Sequence, residues 1–155
     1  MKKSNSVLLA LVIAFTMTAC SSGTTVSPEP INLTGLYKGT FTNTDENSTG
    51  TITLNIAESI DGTTVSGNII FESDDTNCLS NGPITGTISG FSLALTADQI
   101  NSNESGSTVS TGTLSAQLTQ SNNGNNLDGT YVTANTVGLV CSNQSGSGTM
   151  NLVRS

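Results

Sequence analysis

From Leu36 onward apolar and polar residues alternate in short runs, and the runs are separated by Gly, Asn, Asp and Ser. A period of two is that of a β-strand with one face in an apolar core and the other in water, because successive side chains point to opposite faces. The runs predict eight strands, at 34–43, 50–58, 64–73, 83–89, 91–98, 108–119, 126–135 and 146–153. One face carries Tyr37, Phe41, Leu54, Ile56, Ile69, Phe71, Phe91, Leu93, Leu114 and Tyr131, with Gly39, Gly67, Gly86 and Gly129 among them. The other carries Lys38, Thr40, Thr51, Thr53, Asn68, Thr85, Thr87, Thr113, Thr130 and Asn151.

Eight strands with one dry and one wet face close into an up-and-down antiparallel barrel, which removes the edges an open sheet exposes. Glycines on the dry face relieve crowding and let strands bend. A unit of Gly, then Thr or Asn, then an apolar residue recurs at Gly50, Gly67 and Gly86, and again at Gly112, Gly129 and Gly148. The second set lies 62 residues after the first, which points to an internal duplication. The outward face is hydroxyl and amide, unlike the apolar belt of a membrane-spanning barrel.

Connections alternate between the two ends of such a barrel. One end receives the short ones, Ser59 to Thr63, Ser89-Gly90 and Gln120 to Asn125; the other receives Thr44 to Thr49, Asp74 to Gly82, Gln99 to Ser107 and Thr136 to Ser145. Cys78 and Cys141 both fall in the long set, so they are expected at one end, where a disulfide would strap the opening. By the loop-closure model such a bond stabilises by roughly 4 kcal/mol; the alternative is a pair of free buried thiols.

The chain opens differently. Lys2 and Lys3 precede an apolar run from Val7 to Phe15, too short to cross a bilayer as a mature helix, and this reads as an export signal helix. It ends at Met17-Thr18-Ala19-Cys20, which resembles the lipobox of bacterial lipoproteins. The resemblance implies a signal peptide over 1–19, diacylglycerol and a further acyl chain on Cys20, and, with Ser21 following, an outer-membrane destination. Residues 20–31 then form a flexible tether and 32–155 the barrel. The barrel itself loosely resembles calycin-like small barrels. The Gly35-Leu36-Tyr37-Lys38-Gly39 opening sits where lipocalins carry Gly-x-Trp, and this chain has no tryptophan.

Composition narrows the chemistry. Beyond Cys20 the only cations are Lys38 and Arg154, against 11 acidic residues, which argues against nucleic acid or an anionic surface as a partner. There is no histidine, so a His-based triad or imidazole metal site is excluded. Lys38 points outward, away from any Ser–Lys pairing. Asp45-Glu46 and Asp74-Asp75 lie in long connections without EF-hand spacing, and no phosphate loop is present. No metal, cofactor or enzymatic activity is therefore expected. The expected function is a non-catalytic binding or structural module of the cell envelope, meeting protein or envelope glycan through its long loops. The alternative is a carrier of a small apolar ligand inside the barrel, lined by Tyr37, Phe41, Phe71, Phe91 and Tyr131.

Overall fold

The computed structural model describes residues 31–45, 47–73, 78–103, 110–137 and 146–155. Cys20 and Cys141 lie outside them, as do the expected signal helix and most of the tether. The described residues form eight strands: β1 (Gly35–Asn43), β2 (Ser48–Glu58), β3 (Thr64–Ser73), β4 (Cys78–Ser89), β5 (Ser92–Asn103), β6 (Ser110–Ser121), β7 (Asn126–Val137) and β8 (Gly146–Arg154). Each pairs antiparallel with its sequence neighbours, and β8 returns to β1, closing the barrel. The expected architecture is therefore the observed one.

Register gives the barrel its girth. Gly35 opposes Ile56, Ile56 opposes Gly67, and Gly67 opposes Ile84. On the far side Ala97 opposes Leu114, Leu114 opposes Thr133, and Thr133 opposes Gly146, which lies against Asp45. The circuit begins at Gly35 and closes at Asp45, just beyond β1, about ten positions on, a stagger consistent with strands tilted by roughly 35–45°. The interior of such a barrel is just wide enough for side chains to fill. Here Tyr37, Leu54, Ile69, Leu93, Leu114 and Tyr131 all point into one shared core. Each Leu or Ile buried there contributes about 1.5–3 kcal/mol of hydrophobic stabilisation.

Glycines supply the space that the large residues take. Gly50 opposes Phe41, and Gly148 opposes Tyr131. A methyl group on Gly50 would sit 2.6 Å from the Phe41 ring, and one on Gly148 would sit 2.8 Å from the Tyr131 ring. The rings lie over the bare backbone opposite them, a cross-strand pairing that protects glycine in sheets.

The repeated glycines occupy equivalent places only in part. Ile56 faces Gly67 in β2–β3 and Leu118 faces Gly129 in β6–β7, the same register shifted by 62. Yet Gly86 opposes Val65, whereas Gly148 opposes Tyr131. Those partners sit on opposite sides of the equivalent Gly67 and Gly129. Equal spacing thus marks two matched hairpins, with β4 and β8 set at different heights beside them.

Most boundaries fall within two residues of expectation, and three of the differences, in β4 and β5, change the reading of a strand or of a named residue. β4 begins at Cys78, not 83, so Cys78 opens a strand instead of lying in a loop. Pro83 sits inside β4 where the register with β5 shifts, between Asn81 and Thr85, so its missing donor falls at an irregularity in the ladder. β5 continues to Asn103 through a second irregularity between Ala97 and Ile100, where Asp98 and Gln99 are both exposed. At its other end β5 starts at Ser92. Phe91 therefore stands in the turn with 63% of its surface exposed, not on the inner face. A two-residue turn, Gly90-Phe91, needs Gly90 at positive φ and directs Phe91 away from the core.

Candidate functional site

The two ends of the barrel are built differently. At the turn end, where β1 begins, residues 31–34 cross the opening. Leu33 is fully buried against the core and Ile31 packs beside it. The Leu33 amide donates to Glu58 Oε2 at 2.5 Å, and the Glu58 amide donates to Thr34 Oγ1 at 3.0 Å. Beneath the crossing lies the Tyr37 hydroxyl. It is 2.8 Å from the Gly124 carbonyl and 3.1 Å from the Leu33 carbonyl, and accepts from Arg154 Nη2 at 2.6 Å and Nε at 3.1 Å. The Arg154 guanidinium also stacks over the Tyr37 ring, 5.2 Å from its centre, and donates to the Asn32 carbonyl at 2.6 Å. First strand, last strand, β6–β7 turn and entering chain are locked at one point.

The loop end carries another arrangement. Phe41, Phe71 and Tyr131 meet edge to face or tilted, with ring centres 5.2, 5.5 and 6.2 Å apart. Nearer the mouth the inward positions turn polar: Asn43, Ser48, Ser73 and Ser80 are all buried. The hydroxyls of Ser48, Ser73 and Ser80 have no hydrogen-bond partner among the described residues. Burying an unpaired hydroxyl costs about 1–3 kcal/mol, so three in one rim are a notable concentration. No described group occupies their hydrogen-bonding capacity, which points above the rings. Asp45 ties the rim together: its carboxylate accepts from the Ser147 amide at 2.6 Å, and its own amide donates to Asn43 Oδ1 at 3.0 Å.

Of the aromatic residues expected to line a ligand site, three converge, Phe41, Phe71 and Tyr131. Tyr37 is at the opposite end, consumed by its bonds to Arg154 and Gly124, and Phe91 is outside the barrel. Cys78 stands at the loop end as the first residue of β4, opposite Ser73. The buried serines were not anticipated, although parity marks them. Ser48 is in phase with Gly50 and Ile52, Ser73 with Phe71, and Ser80 with Gly82 and Ile84. Arg154 is likewise in phase with Leu152 and Met150.

The outer wall offers a shallow groove of about 620 Å³ over β2 to β5, lined by Ser66, Thr85, Thr87, Thr96, Ala57 and Ala94. Its one ionisable neighbour, Glu58, is engaged by the Leu33 amide. Among the described residues no three Cys, Asp or Glu side chains converge as a metal-binding group. Compared with known proteins, the chain matches no family model, no curated protein and no solved structure.

Proposed function

We propose that the mature protein is a lipoprotein held on the outer membrane through acyl chains on Cys20, and that its barrel is a non-catalytic binding or structural module of the cell envelope. The observation that carries this reading is the difference between the ends. The end that receives the chain from Cys20 is sealed by residues 31–34 and the Tyr37–Arg154 lock, while the polar rim is at the other. A barrel tethered by its sealed end holds its loop end away from the bilayer, toward protein or glycan. The outer wall of Thr, Ser and Asn suits an aqueous compartment, and several acyl chains give stable anchoring where one is marginal. Cys78 and Cys141 pair across that loop end in the oxidising compartment.

Intact mass of the mature protein tests this. The expected product starts at Cys20, carries added lipid mass, and lacks two hydrogens until it is reduced. Cys20→Ser should abolish the lipid mass and release the protein from the membrane fraction. A mature Cys20 without lipid overturns the anchoring, and two thiols free without reductant overturn the strap.

A second reading is favoured by the unpartnered hydroxyls of Ser48, Ser73 and Ser80 above the aromatic trio. In it the loop end takes a small ligand whose apolar part rests on the rings and whose polar group meets the serines. Native mass spectrometry after incubation with envelope lipid extract decides it: an adduct lost in Ser73→Ala and Ser80→Ala supports a carrier, and no adduct rejects it.

A further inference from the structure

We propose that the turn end of the barrel is a membrane-seating surface, with Ile60 and Phe91 at the tips of two turns resting in the interfacial layer of a zwitterionic bilayer. The proposal rests on the reading of Cys20 as the anchor and says what the barrel does once anchored. Isolated exposed apolar residues are ordinary on protein surfaces; their distribution here is not. Five large apolar side chains are exposed among the described residues, Leu36, Ile60, Phe91, Val132 and Val153. Leu36 is the second residue of β1, Val153 the last but one of β8, and Ile60 and Phe91 are in the β2–β3 and β4–β5 turns, so four of the five are at the turn end.

The tips are held by a rigid base. The Ile88 amide donates to the Thr63 carbonyl at 2.8 Å, joining β4 to the β2–β3 turn. The Gln120 amide donates to the Phe91 carbonyl at 2.8 Å, and Gln120 Nε2 donates to the Gly90 carbonyl at 2.7 Å, joining the β4–β5 turn to β6. The Asp61 carboxylate beside Ile60 is occupied by Ser59 and Thr63 of its own turn. Turn tips ordinarily carry Gly, Asn, Asp or Ser, as in the third turn here, Asn122-Asn123-Gly124-Asn125. Ile and Phe at the other two tips are the residues that enter a headgroup boundary.

Reach and charge identify the occupant. The described chain begins at Ile31 on this same end, and only residues 21–30 separate it from Cys20. Ten residues span at most about 33–36 Å, so this end stays close to the bilayer. With two cations against 11 acidic residues beyond Cys20, an anionic surface is disfavoured and a zwitterionic one fits.

The chain has no tryptophan, so one introduced residue reports its own depth. Ile60→Trp, Phe91→Trp and, on the flank, Val132→Trp would each be made in the lipidated mature protein and reconstituted into phosphatidylcholine vesicles. Brominated phosphatidylcholine should quench tryptophan at 60 and 91 at least twofold more than at 132. Intact mass is read on the same samples. Lipid on Cys20 with equal or absent quenching at all three positions overturns the seating surface and leaves the anchor standing. Shielding of 60 and 91 from aqueous acrylamide without quenching by brominated lipid assigns the tips to a protein contact, such as a second copy, and also overturns it. Absence of lipid on Cys20 removes the anchor and the seating surface with it.

Discussion

Tyr37→Phe isolates one hydroxyl at the point where the barrel is sealed. The ring stays, so the buried area and the stacking of Arg154 stay with it. The hydroxyl has a single proton, directed to the Gly124 carbonyl at 2.8 Å or the Leu33 carbonyl at 3.1 Å, and its lone pairs accept from Arg154 at 2.6 and 3.1 Å. A neutral hydrogen bond contributes about 0.5–1.5 kcal/mol and one to a charged group about 1.5–3 kcal/mol. Arg154 keeps the Asn32 carbonyl at 2.6 Å and the Gly124 carbonyl at 3.2 Å after the substitution, so part of its contribution survives. The expected loss is about 2–3 kcal/mol, equivalent to a drop in Tm of roughly 10 °C for a domain of this size.

Urea denaturation followed by far-UV circular dichroism measures this loss. A double-mutant cycle with Arg154→Met separates the pair from its surroundings, and the coupling expected is about 1–2 kcal/mol. A Tyr37→Phe loss below about 0.5 kcal/mol, or zero coupling, would refute the reasoning. Either result would mean that residues 31–34 and the β6–β7 turn close the barrel without the hydroxyl.

The remaining predictions concern other parts of the wall. Gly129→Ala places a methyl group against the Gln117 carbonyl of β6, a backbone atom that has little room to yield, and should cost about 3 kcal/mol or more by urea denaturation. Gly90→Ala meets no atom within 4 Å, so its cost should be confined to the positive φ, about 1 kcal/mol, and a larger loss there would contradict the packing account. Ser73→Ala and Ser80→Ala each remove a buried hydroxyl that no described group partners and should leave the ligand-free protein as stable as the parent or about 1 kcal/mol more stable; a clear loss would show that something satisfies those hydroxyls. Hydrogen bonds from Ser59 and Thr63 hold the Asp61 carboxyl below its ordinary value, so the contribution of its carboxylate to stability is present above that value and lost as pH falls through the depressed one. The difference between the urea midpoints of parent and Asp61→Ala should therefore shrink in acid, and a constant difference would assign the effect to the turn alone.

Alternation carries most of this fold because a barrel with a filled interior asks the same thing of every strand. Leu54, Ile69, Leu93, Leu114 and Tyr131 declare their face by parity alone, and their convergence follows from closure. The pattern breaks where the backbone does. Ala97 and Ile100 both point inward with Asp98 and Gln99 between them, so the strand reads as finished when it has only bulged. The same irregularity brings the Gln99 carbonyl against Gly82, where any Cβ would collide, which explains a glycine that belongs to no repeat.

Phe91 shows the converse error. Its phase agrees with Leu93 and Leu95, yet the turn ends the strand one residue later and turns the ring to solvent. Ser48, Ser73, Ser80 and Arg154 were legible by phase and were missed through their chemistry, because hydroxyls and a guanidinium read as surface. An inward polar residue at a strand terminus is tolerable only if something at that end meets it. At the turn end Tyr37 and the carbonyls of Asn32 and Gly124 meet Arg154; at the loop end no described group meets the three serines. Toward the turn end only Gln120 Oε1 is left unmet among the described residues, against three hydroxyls in the rim, and that imbalance is the physical reason to look for a partner at the loop end.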